Sequence, residues 1–381
     1  MRRSIELPRR SAESACDRSA RSRKTFFRKN VLRERARVRK PVVSIKDVAS
    51  LAGVSIGTVS NVLTGKRAVK AELQVRVRGA VAELGYEPDR SASRLRGGRG
   101  RVVAVMVPDL TNPFFASLVA ALEAAVRGDG YDIIVGTSNG GPAEEAARLA
   151  TLLAWRPGGL VVVPCDDAFA SAAVIRRSGV PFVVADRVAD GIDADQVTVD
   201  NRAAGAASAE HVLGLGHRDV VVAASTMALR NIRERYAGIE GAFLSRGLPA
   251  PRHIEVGLDL ETATDRLDAF VRDECRTSAF IALTNFGTLG VLSTLRRRGL
   301  RVPDDVSVIG FDDYAWMRAV SPPLSAVRQP VEAMGQAAWA RLRARIDGAD
   351  GPFERVRLEC EFVPRASTAA FGKPLGCERA A

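Results

Sequence analysis

Residues 44–65 have the sequence SIKDVASLAGVSIGTVSNVLTG, in which two short helical patterns flank a glycine. Ser44 is a favourable N-cap residue, and apolar residues recur at helical spacing after it until Gly53. Because glycine adopts positive φ without steric cost, Gly53 predicts the end of the first helix. A second helix is predicted from Ser55. This helix–turn–helix order is typical of domains that insert their second helix into the major groove of DNA.

A third helical pattern follows and completes a predicted domain at residues 42–88. Its apolar side chains form one stripe with a period near 3.6, at Leu73, Val77, Ala80, Val81 and Leu84. If Val59 and Val62 face this stripe, the opposite face of the second helix carries small and polar residues. Such side chains can reach phosphates and base edges.

Charge is strongly segregated along the 381 residues. The first hundred residues hold 25 Lys/Arg against 9 Asp/Glu, a balance of +16, whereas the whole chain has a net charge of +12 and the remainder therefore −4. Clustered basic residues favour a polyanionic partner such as DNA, or alternatively a membrane surface. We expect residues 1–41 to be a disordered basic arm, either a nonspecific DNA-binding tail, a solvated extension, or residues upstream of the true start codon.

The rest of the chain divides into a short linker and a large α/β region. Residues 89–100 predict a weak hinge helix and linker, and residues 369–381 a tail. Between them, in 101–368, β-branched runs alternate with amphipathic helices, which indicates two doubly wound lobes of parallel sheet with a ligand cleft between them. We expect lobe 1 at about 101–198 and 329–350, and lobe 2 at about 199–328 and 351–368.

The composition narrows the class of protein. Hydrophobic residues make up 46% and charged residues 26% of the chain, and no apolar run approaches the roughly 18 to 20 residues of a membrane span. The five cysteines are scattered, without zinc-site spacing, and no apolar signal segment follows the N-terminal arginines. These features predict a cytoplasmic protein without a metal or cofactor.

Further along, ordered short motifs identify a family resemblance. They include Ala52-Gly53-Val54-Ser55, Leu84-Gly85-Tyr86, Asn112-Pro113-Phe114-Phe115, Asp186-Arg187, Leu215-Gly216-His217 and Gly310-Phe311-Asp312-Asp313. From about Val43 to Thr368 the sequence resembles the LacI/GalR family of bacterial regulators. The resemblance implies a homodimer that binds an inverted-repeat operator in double-stranded DNA, usually as a repressor, under allosteric control by a small effector.

The resemblance also implies the residues that contact DNA. Ile56, Gly57 and Asn61 match positions that discriminate bases, while Ser55, Thr58 and Ser60 match positions that mostly contact phosphates; helix packing is the alternative for Thr58. In the hinge segment, Leu95 matches a side chain that wedges into the minor groove, where unstacking costs a few kcal/mol. Arg94 lies beside it and would add minor-groove or phosphate contacts.

For the effector site, the resemblance to a periplasmic sugar-binding fold implies eight residues, Phe114, Phe115, Asp186, Arg187, Arg235, Asn285, Asp312 and Trp316. Carboxylate, guanidinium and amide groups bind vicinal hydroxyls, and an aromatic face covers the apolar side of a sugar. Core packing is the alternative for the aromatic residues, and an interlobe salt bridge for Arg187. Many sugar-responsive relatives have Asn-Asp where this chain has Thr284-Asn285, which leaves the ligand class open.

A sugar or glycoside is the expected effector, with a nucleoside or purine, or a phosphoprotein, as alternatives. An enzyme is disfavoured because the chain has neither a Gly-x-Gly-x-x-Gly motif after a strand nor a Gly-x-x-x-x-Gly-Lys-Ser/Thr motif, the two glycine motifs that bind phosphates. In addition, its three histidines show no nucleophile partner. A sugar-binding transport protein is disfavoured by the arginine-rich start. No heptad-rich segment follows Thr368, so a dimer is expected rather than a coiled-coil tetramer.

Overall fold

The computed structural model describes residues 43–65, 67–86, 100–187, 191–273 and 277–372. The predicted basic arm at 1–41, nearly all of the hinge segment at 89–100 and most of the tail lie outside these residues. The chain falls into two compact units that divide between Arg96 and Gly97, and the described residues up to 86 belong to the first and those from 100 to the second. We call the first unit the headpiece and the second the core.

The headpiece consists of three helices, α1 (Ile45–Ala52), α2 (Ile56–Thr64) and α3 (Ala71–Leu84). α1 ends at Gly53, whose φ of 61° lies in the left-handed region that glycine adopts freely. The small hydrophobic core of the headpiece is formed by Val48, Ala49, Ala52, Val59, Val77 and Ala80. The helix–turn–helix predicted from residues 44–65 is therefore present, with α2 as its second helix.

The core contains two six-stranded sheets, each flanked by helices. The first has the order β11-β5-β4-β3-β1-β2 and comprises β1 (Gly100–Val107), β2 (Asp132–Thr137), β3 (Pro157–Val162), β4 (Phe182–Ala185), β5 (Asp195–Val199) and β11 (Arg355–Leu358). Its helices are α4 (Pro113–Gly128), α5 (Pro142–Ala154), α6 (Ala172–Ser178) and α12 (Val331–Ile346). All its strand pairs are parallel. This half is lobe 1.

Lobe 2 is built in the same way around the order β12-β10-β9-β8-β6-β7. Its strands are β6 (Val220–Ala224), β7 (Arg252–Glu255), β8 (Ala279–Ala282), β9 (Ser307–Phe311), β10 (Ser325–Arg328) and β12 (Glu361–Val363). Its helices are α7 (Asn201–Gly214), α8 (Arg230–Leu244), α9 (Leu260–Asp273), α10 (Asn285–Arg297) and α11 (Ala315–Ala319). Only β12 pairs antiparallel, with β10. The predicted α/β fold of two parallel-sheet lobes with a three-helix headpiece is confirmed.

One predicted lobe boundary is wrong. Residues 351–368 were all expected in lobe 2, but β11 pairs in parallel with β5 and is the edge strand of lobe 1. Only after Leu358 does the chain return to lobe 2, where β12 pairs with β10. The physical reason is that both sheets present an unpaired edge to this segment. A four-residue strand alternating Arg with Val or Leu carries no signal that selects one edge.

Close helix packing in lobe 2 depends on two glycines. A Cβ atom at Gly205 of α7 would collide with the carbonyl oxygen of Arg235, and one at Gly238 of α8 with that of Arg202. The two helix backbones therefore approach each other more closely than any side chain allows. This contact fixes the position of α8, which carries several of the polar groups described next.

Candidate functional site

A cavity of about 540 Å³ lies between the two lobes of the core. The cavity lies at the carboxyl ends of the strands of both sheets, as expected for doubly wound folds. Lobe 1 contributes Pro108, Asp109, Thr111, Asn112, Phe114, Phe115, Asn139, Gly140, Cys165, Asp166, Asp186 and Arg187. Lobe 2 contributes Ser225, Thr226, Ala228, Leu229, Asn231, Ile232, Arg235, Gly257, Leu258, Asp259, Thr284, Phe286 and Asp312, and Gln329 lies at the crossover between lobes. Its size suits a small organic molecule.

On the lobe 1 side, Asp186 and Arg187 follow β4 directly. Asp186 has a φ of 59° and is buried, and its Oδ2 accepts a hydrogen bond of 3.3 Å from Asn231 Nδ2 of lobe 2. Burial raises the pKa of Asp186, although Arg235, Arg187 and the Asn231 hydrogen bond oppose this rise. Asp186 therefore connects the lobes at the base of the cavity.

Arg187 is held by the loop after β3. Its Nη1 donates to the carbonyl oxygens of Pro164 and Cys165 at 3.2 and 2.9 Å, and its guanidinium carbon lies 5.5 Å from the ring centroid of Phe115. Within the described chain, its buried Nε has no hydrogen-bond partner. An unpaired buried donor of this kind is costly.

On the lobe 2 side, Arg235 is fixed by three contacts. Nε donates to Asn201 Oδ1 at 2.8 Å, Nη1 donates to the Leu283 carbonyl at 2.7 Å, and the guanidinium carbon lies 3.8 Å from the Phe311 ring centroid. The charge is thus held rigidly by residues of its own lobe. A ligand that accepts a hydrogen bond from it need not immobilise a flexible side chain.

A second carboxyl, that of the half-buried residue Asp312, lies near the first. Asp312 follows β9 with a φ of 84°, and its Oδ1 accepts a hydrogen bond of 2.5 Å from Gln329 Nε2. Burial raises its pKa; Arg235 and the Gln329 hydrogen bond oppose the rise, and the Asp186 carboxyl adds to it. Asp186 and Asp312 thus present carboxyl groups to the cavity beside the guanidinium groups of Arg187 and Arg235.

In the headpiece, α2 is capped by its own sequence. Ser55 Oγ accepts a hydrogen bond of 3.1 Å from the Thr58 amide, and the two hydroxyls lie 2.9 Å apart. Ser55, Ile56 and Gly57 are exposed, whereas Val59 is fully buried. Thr58, Ser60 and Asn61 are half-buried. The first turn of α2 therefore presents small side chains and one apolar side chain to solvent.

The headpiece and the core each match a known protein family. Residues 44–89 match the family of bacterial regulatory proteins called lacI, and residues 209–368 match the periplasmic binding protein-like domain. The chain is 32% identical over 339 residues to the HTH-type transcriptional regulator MalR of Streptomyces coelicolor (strain ATCC BAA-471 / A3(2) / M145), covering 86% of this chain and 96% of MalR. This chain belongs to the LacI family.

Solved structures agree with this assignment. The Lac repressor dimer bound to operator and the anti-inducer ONPF has a TM-score of 0.77 and 26% identity, covering 86% of this chain and 99% of that one. The complex of the transcriptional regulator CelR with cellobiose has a TM-score of 0.65 and 27% identity, covering 85% and 99%. The LacI family consists of helix–turn–helix transcription regulators that bind DNA and small effectors. They are regulators rather than enzymes.

The structure brings six of the eight predicted effector residues to the cavity, namely Phe114, Phe115, Asp186, Arg187, Arg235 and Asp312. The other two do not line it. Asn285 is the buried first residue of α10, and its neighbours Thr284 and Phe286 line the cavity instead. Trp316 lies on α11 and packs against the apolar cluster of Met317, Leu324 and Ala326. Core packing, the alternative stated for Trp316, describes its contacts.

Several further residues line the cavity although the sequence did not predict them there. Asn231 precedes Arg235 by about one helical turn, so both project from the same face of α8, and that spacing was a usable signal. Gln329 directly follows β10 at the end of the sheet. Asp109, Asn139 and Asp166 follow β1, β2 and β3 in loops, where the sequence shows no direction for a side chain.

The remaining predictions concern the hinge, metals and membranes. Arg94 and Leu95 lie outside the described residues. Within the part of the chain that the structure describes, no group of three or more His, Cys, Asp or Glu side chains is arranged to hold a metal ion. Among those same residues, no helix has the length and apolar character required to span a bilayer.

Proposed function

We propose that this LacI-family regulator is a homodimeric repressor of an inverted-repeat operator, and that a neutral sugar or glycoside in the interlobe cavity controls its DNA affinity. One observation carries the effector proposal. Asp186, Arg187, Arg235 and Asp312 meet in one cavity beside Asn231 and Gln329. Such convergent donors and acceptors bind vicinal hydroxyls, and the neighbouring Phe115 ring offers an apolar face.

The charge of the cavity supports a neutral ligand over an anionic one. Five aspartates line it, Asp109, Asp166, Asp186, Asp259 and Asp312, against the two arginines Arg187 and Arg235. Burial raises the pKa of Asp186 and Asp312, but the other three aspartates alone outnumber the two arginines, so a phosphate or carboxylate on the effector would be repelled. We expect Nη2 of Arg235, which takes no part in its bonds to Asn201 and Leu283, to donate to a ligand hydroxyl.

For DNA recognition we propose the residues that the family resemblance implies. Ile56, Gly57 and Asn61 would contact base edges, and Ser55, Thr58 and Ser60 would contact phosphates. The exposure of the first turn of α2 supports this assignment. We further propose that Leu95 and Arg94 act in a hinge helix over 89–100 that orders on the minor groove.

The mechanism we propose is a shift between closure states of the lobes. The effector binds one state more tightly, and that state sets the spacing of the two hinge helices on the operator. The match to a Lac repressor dimer on its operator supports a homodimer here. Because the operator is genomic DNA, we infer that the protein acts in the cytoplasm.

A thermal-shift screen of the full chain tests the effector proposal. We expect at least one of D-ribose, maltose and cellobiose to raise the melting temperature, since a ligand at 100 times its Kd adds about 2.7 kcal/mol. Glucose 6-phosphate and glucuronate should give smaller shifts. Arg235→Met should abolish the shift, and Arg202→Met, on an exposed arginine of α7, should retain it.

Two outcomes would contradict the proposal. One is a larger shift with the anionic sugars than with the neutral ones. The other is an equal shift in the parent protein and in Arg235→Met, because the ligand would then bind elsewhere.

A further inference from the structure

Helix α8 begins at the mouth of the cavity without a cap from its own N-cap residue. That residue is Leu229, whose apolar side chain cannot accept a hydrogen bond from the first free amides of the helix. Leu229 itself lines the cavity, as does Asn231 in the first turn. The Ile232 amide donates to Oδ1 of the neighbouring Asn231 at 3.0 Å, but Leu229 offers no acceptor to the Arg230 amide, with which the helix begins beside the ligand space.

Lobe 1 supplies the missing cap. Asp167, in the loop after β3, accepts a hydrogen bond of 3.0 Å at Oδ1 from the backbone amide of Arg230. Its Oδ2 accepts one of 2.7 Å from Arg233 Nη2, one turn further along α8. We call this contact of Asp167 with Arg230 and Arg233 the interlobe cap. A carboxylate at a helix N-terminus is also favoured by the helix dipole.

Both sides of the interlobe cap are anchored in their own lobes. In lobe 1, the buried Glu145 side chain accepts hydrogen bonds from the Cys165 amide and the Ser171 hydroxyl, so the loop that carries Asp167 is tied to α5. In lobe 2, Arg233 Nη1 donates to the carbonyl oxygens of Met227 and Ala228 at 2.9 and 2.7 Å. Neither partner can follow the other when the lobes separate, so opening must break the contact.

The interlobe cap acts on the same helix as the effector residues. Asn231 binds Asp186 across the base of the cavity, and Arg235 lies one turn beyond it. Lobe 1 thus grips the first turns of α8 at two points, the rim and the base. The ligand would contact the helix between them.

We propose that the interlobe cap holds the cavity closed in the absence of effector, so that Asp167 sets the resting ratio of closed to open lobes. This inference rests on the proposed function for its regulatory meaning. Asp167 is a positioning residue, because it acts through α8. Removing it opens the effector-free protein.

Two variants separate the charge from the cap. Asn caps helices about as well as Asp, so Asp167→Asn loses the ion pair and keeps the cap, whereas Asp167→Ala loses both. Asp268→Asn is the matched control, since Asp268 accepts bonds of 2.7 and 2.8 Å from Arg298 within lobe 2 alone. Both changes at Asp167 remove a contact between the two lobes, whereas Asp268→Asn removes a contact within lobe 2 alone.

The measurement is the distance between nitroxide labels on the full chain without DNA or sugar. The nitroxides are attached to ketone-bearing amino acids introduced at the exposed positions Ala143 and Glu261. These positions follow the lining residues Gly140 and Asp259 closely in sequence, so the distance between the labels reports the separation of the lobes at the cavity. Dilution with unlabelled chains leaves one labelled protomer per dimer. Pulsed electron resonance then gives the populations of short and long distances.

We expect Asp167→Ala to raise the open-to-closed ratio by about tenfold and Asp167→Asn by about twofold, from the usual effects of caps and exposed ion pairs. Asp268→Asn should leave it unchanged. A distance distribution in Asp167→Asn and any folded Asp167→Ala identical to that of the parent would overturn the proposal. Since no sugar is present, failure of the effector screen and failure of the interlobe cap are separate results.

Discussion

Helices α2 and α8 begin in opposite ways. α2 of the headpiece is capped by Ser55, the residue directly before it. α8 of lobe 2 begins at Arg230, directly after the apolar residue Leu229, and its cap comes from Asp167, more than sixty residues earlier and in the other lobe. A helix that depends only on neighbouring residues can present a fixed surface to DNA. A helix whose first turn depends on the other lobe can respond to the distance between lobes.

The largest expected effect comes from breaking the packing of α8. Gly238→Ala places a Cβ against the Arg202 carbonyl in a contact that cannot be relieved by a side-chain rotation. We expect a loss of at least about 3 kcal/mol of core stability, at the upper end of overpacking effects. Urea unfolding followed by the near-ultraviolet signal of the core measures this loss.

Gly241→Ala on the same helix is the matched control. No atom lies within 4 Å of a Cβ at that position, so the substitution should stabilise the helix by about 0.5–1 kcal/mol through propensity alone. Similar stability of the two variants would show that close α7–α8 contact does not fix α8.

A smaller effect is expected from removing the cap of α2. Ser55→Ala loses the bond to the Thr58 amide and should cost about 1 kcal/mol of local stability. Hydrogen exchange of the amides in 56–64 should therefore accelerate by about fivefold, while exchange in lobes 1 and 2 stays the same.

Ser50→Ala, on an exposed serine in α1, serves as its control and should leave exchange in α2 unchanged. If Ser55→Ala also altered exchange at the start of α8, the contrast between a locally capped helix and one capped across lobes would fail. Unchanged exchange in α2 itself would show that the Ser55 cap contributes nothing.

This contrast also explains what the sequence could predict. The headpiece was predictable because Ser44, Gly53 and Ser55 determine helix starts and ends through neighbouring atoms. Asp186 and Asp312 were implied by family resemblance, and both follow a buried strand, where chain direction already points to the cleft. At these positions the local sequence pattern was sufficient to predict the structure.

The sequence was a weaker guide where the position of a side chain or strand depends on distant packing. Asn285 is the first residue of α10 and is buried beside residues that line the cavity. Whether its side chain faces the cavity depends on how α10 is oriented in the fold. β11 joined the edge of lobe 1 although its sequence suits either sheet. Asp167 carries no motif at all, because its role exists only when α8 of the other lobe lies opposite.

The central claim is that a ligand between the lobes controls DNA binding by the headpiece. The most direct measurement is a fluorescence anisotropy titration of the full chain on a site obtained by selection from random duplex DNA, with and without the stabilising sugar. The account predicts an inverted-repeat site bound about 10³-fold or more tightly than scrambled DNA at the same salt concentration, with a sugar effect of about 5- to 150-fold. Equal affinity for selected and scrambled DNA, unaffected by sugar, would contradict it.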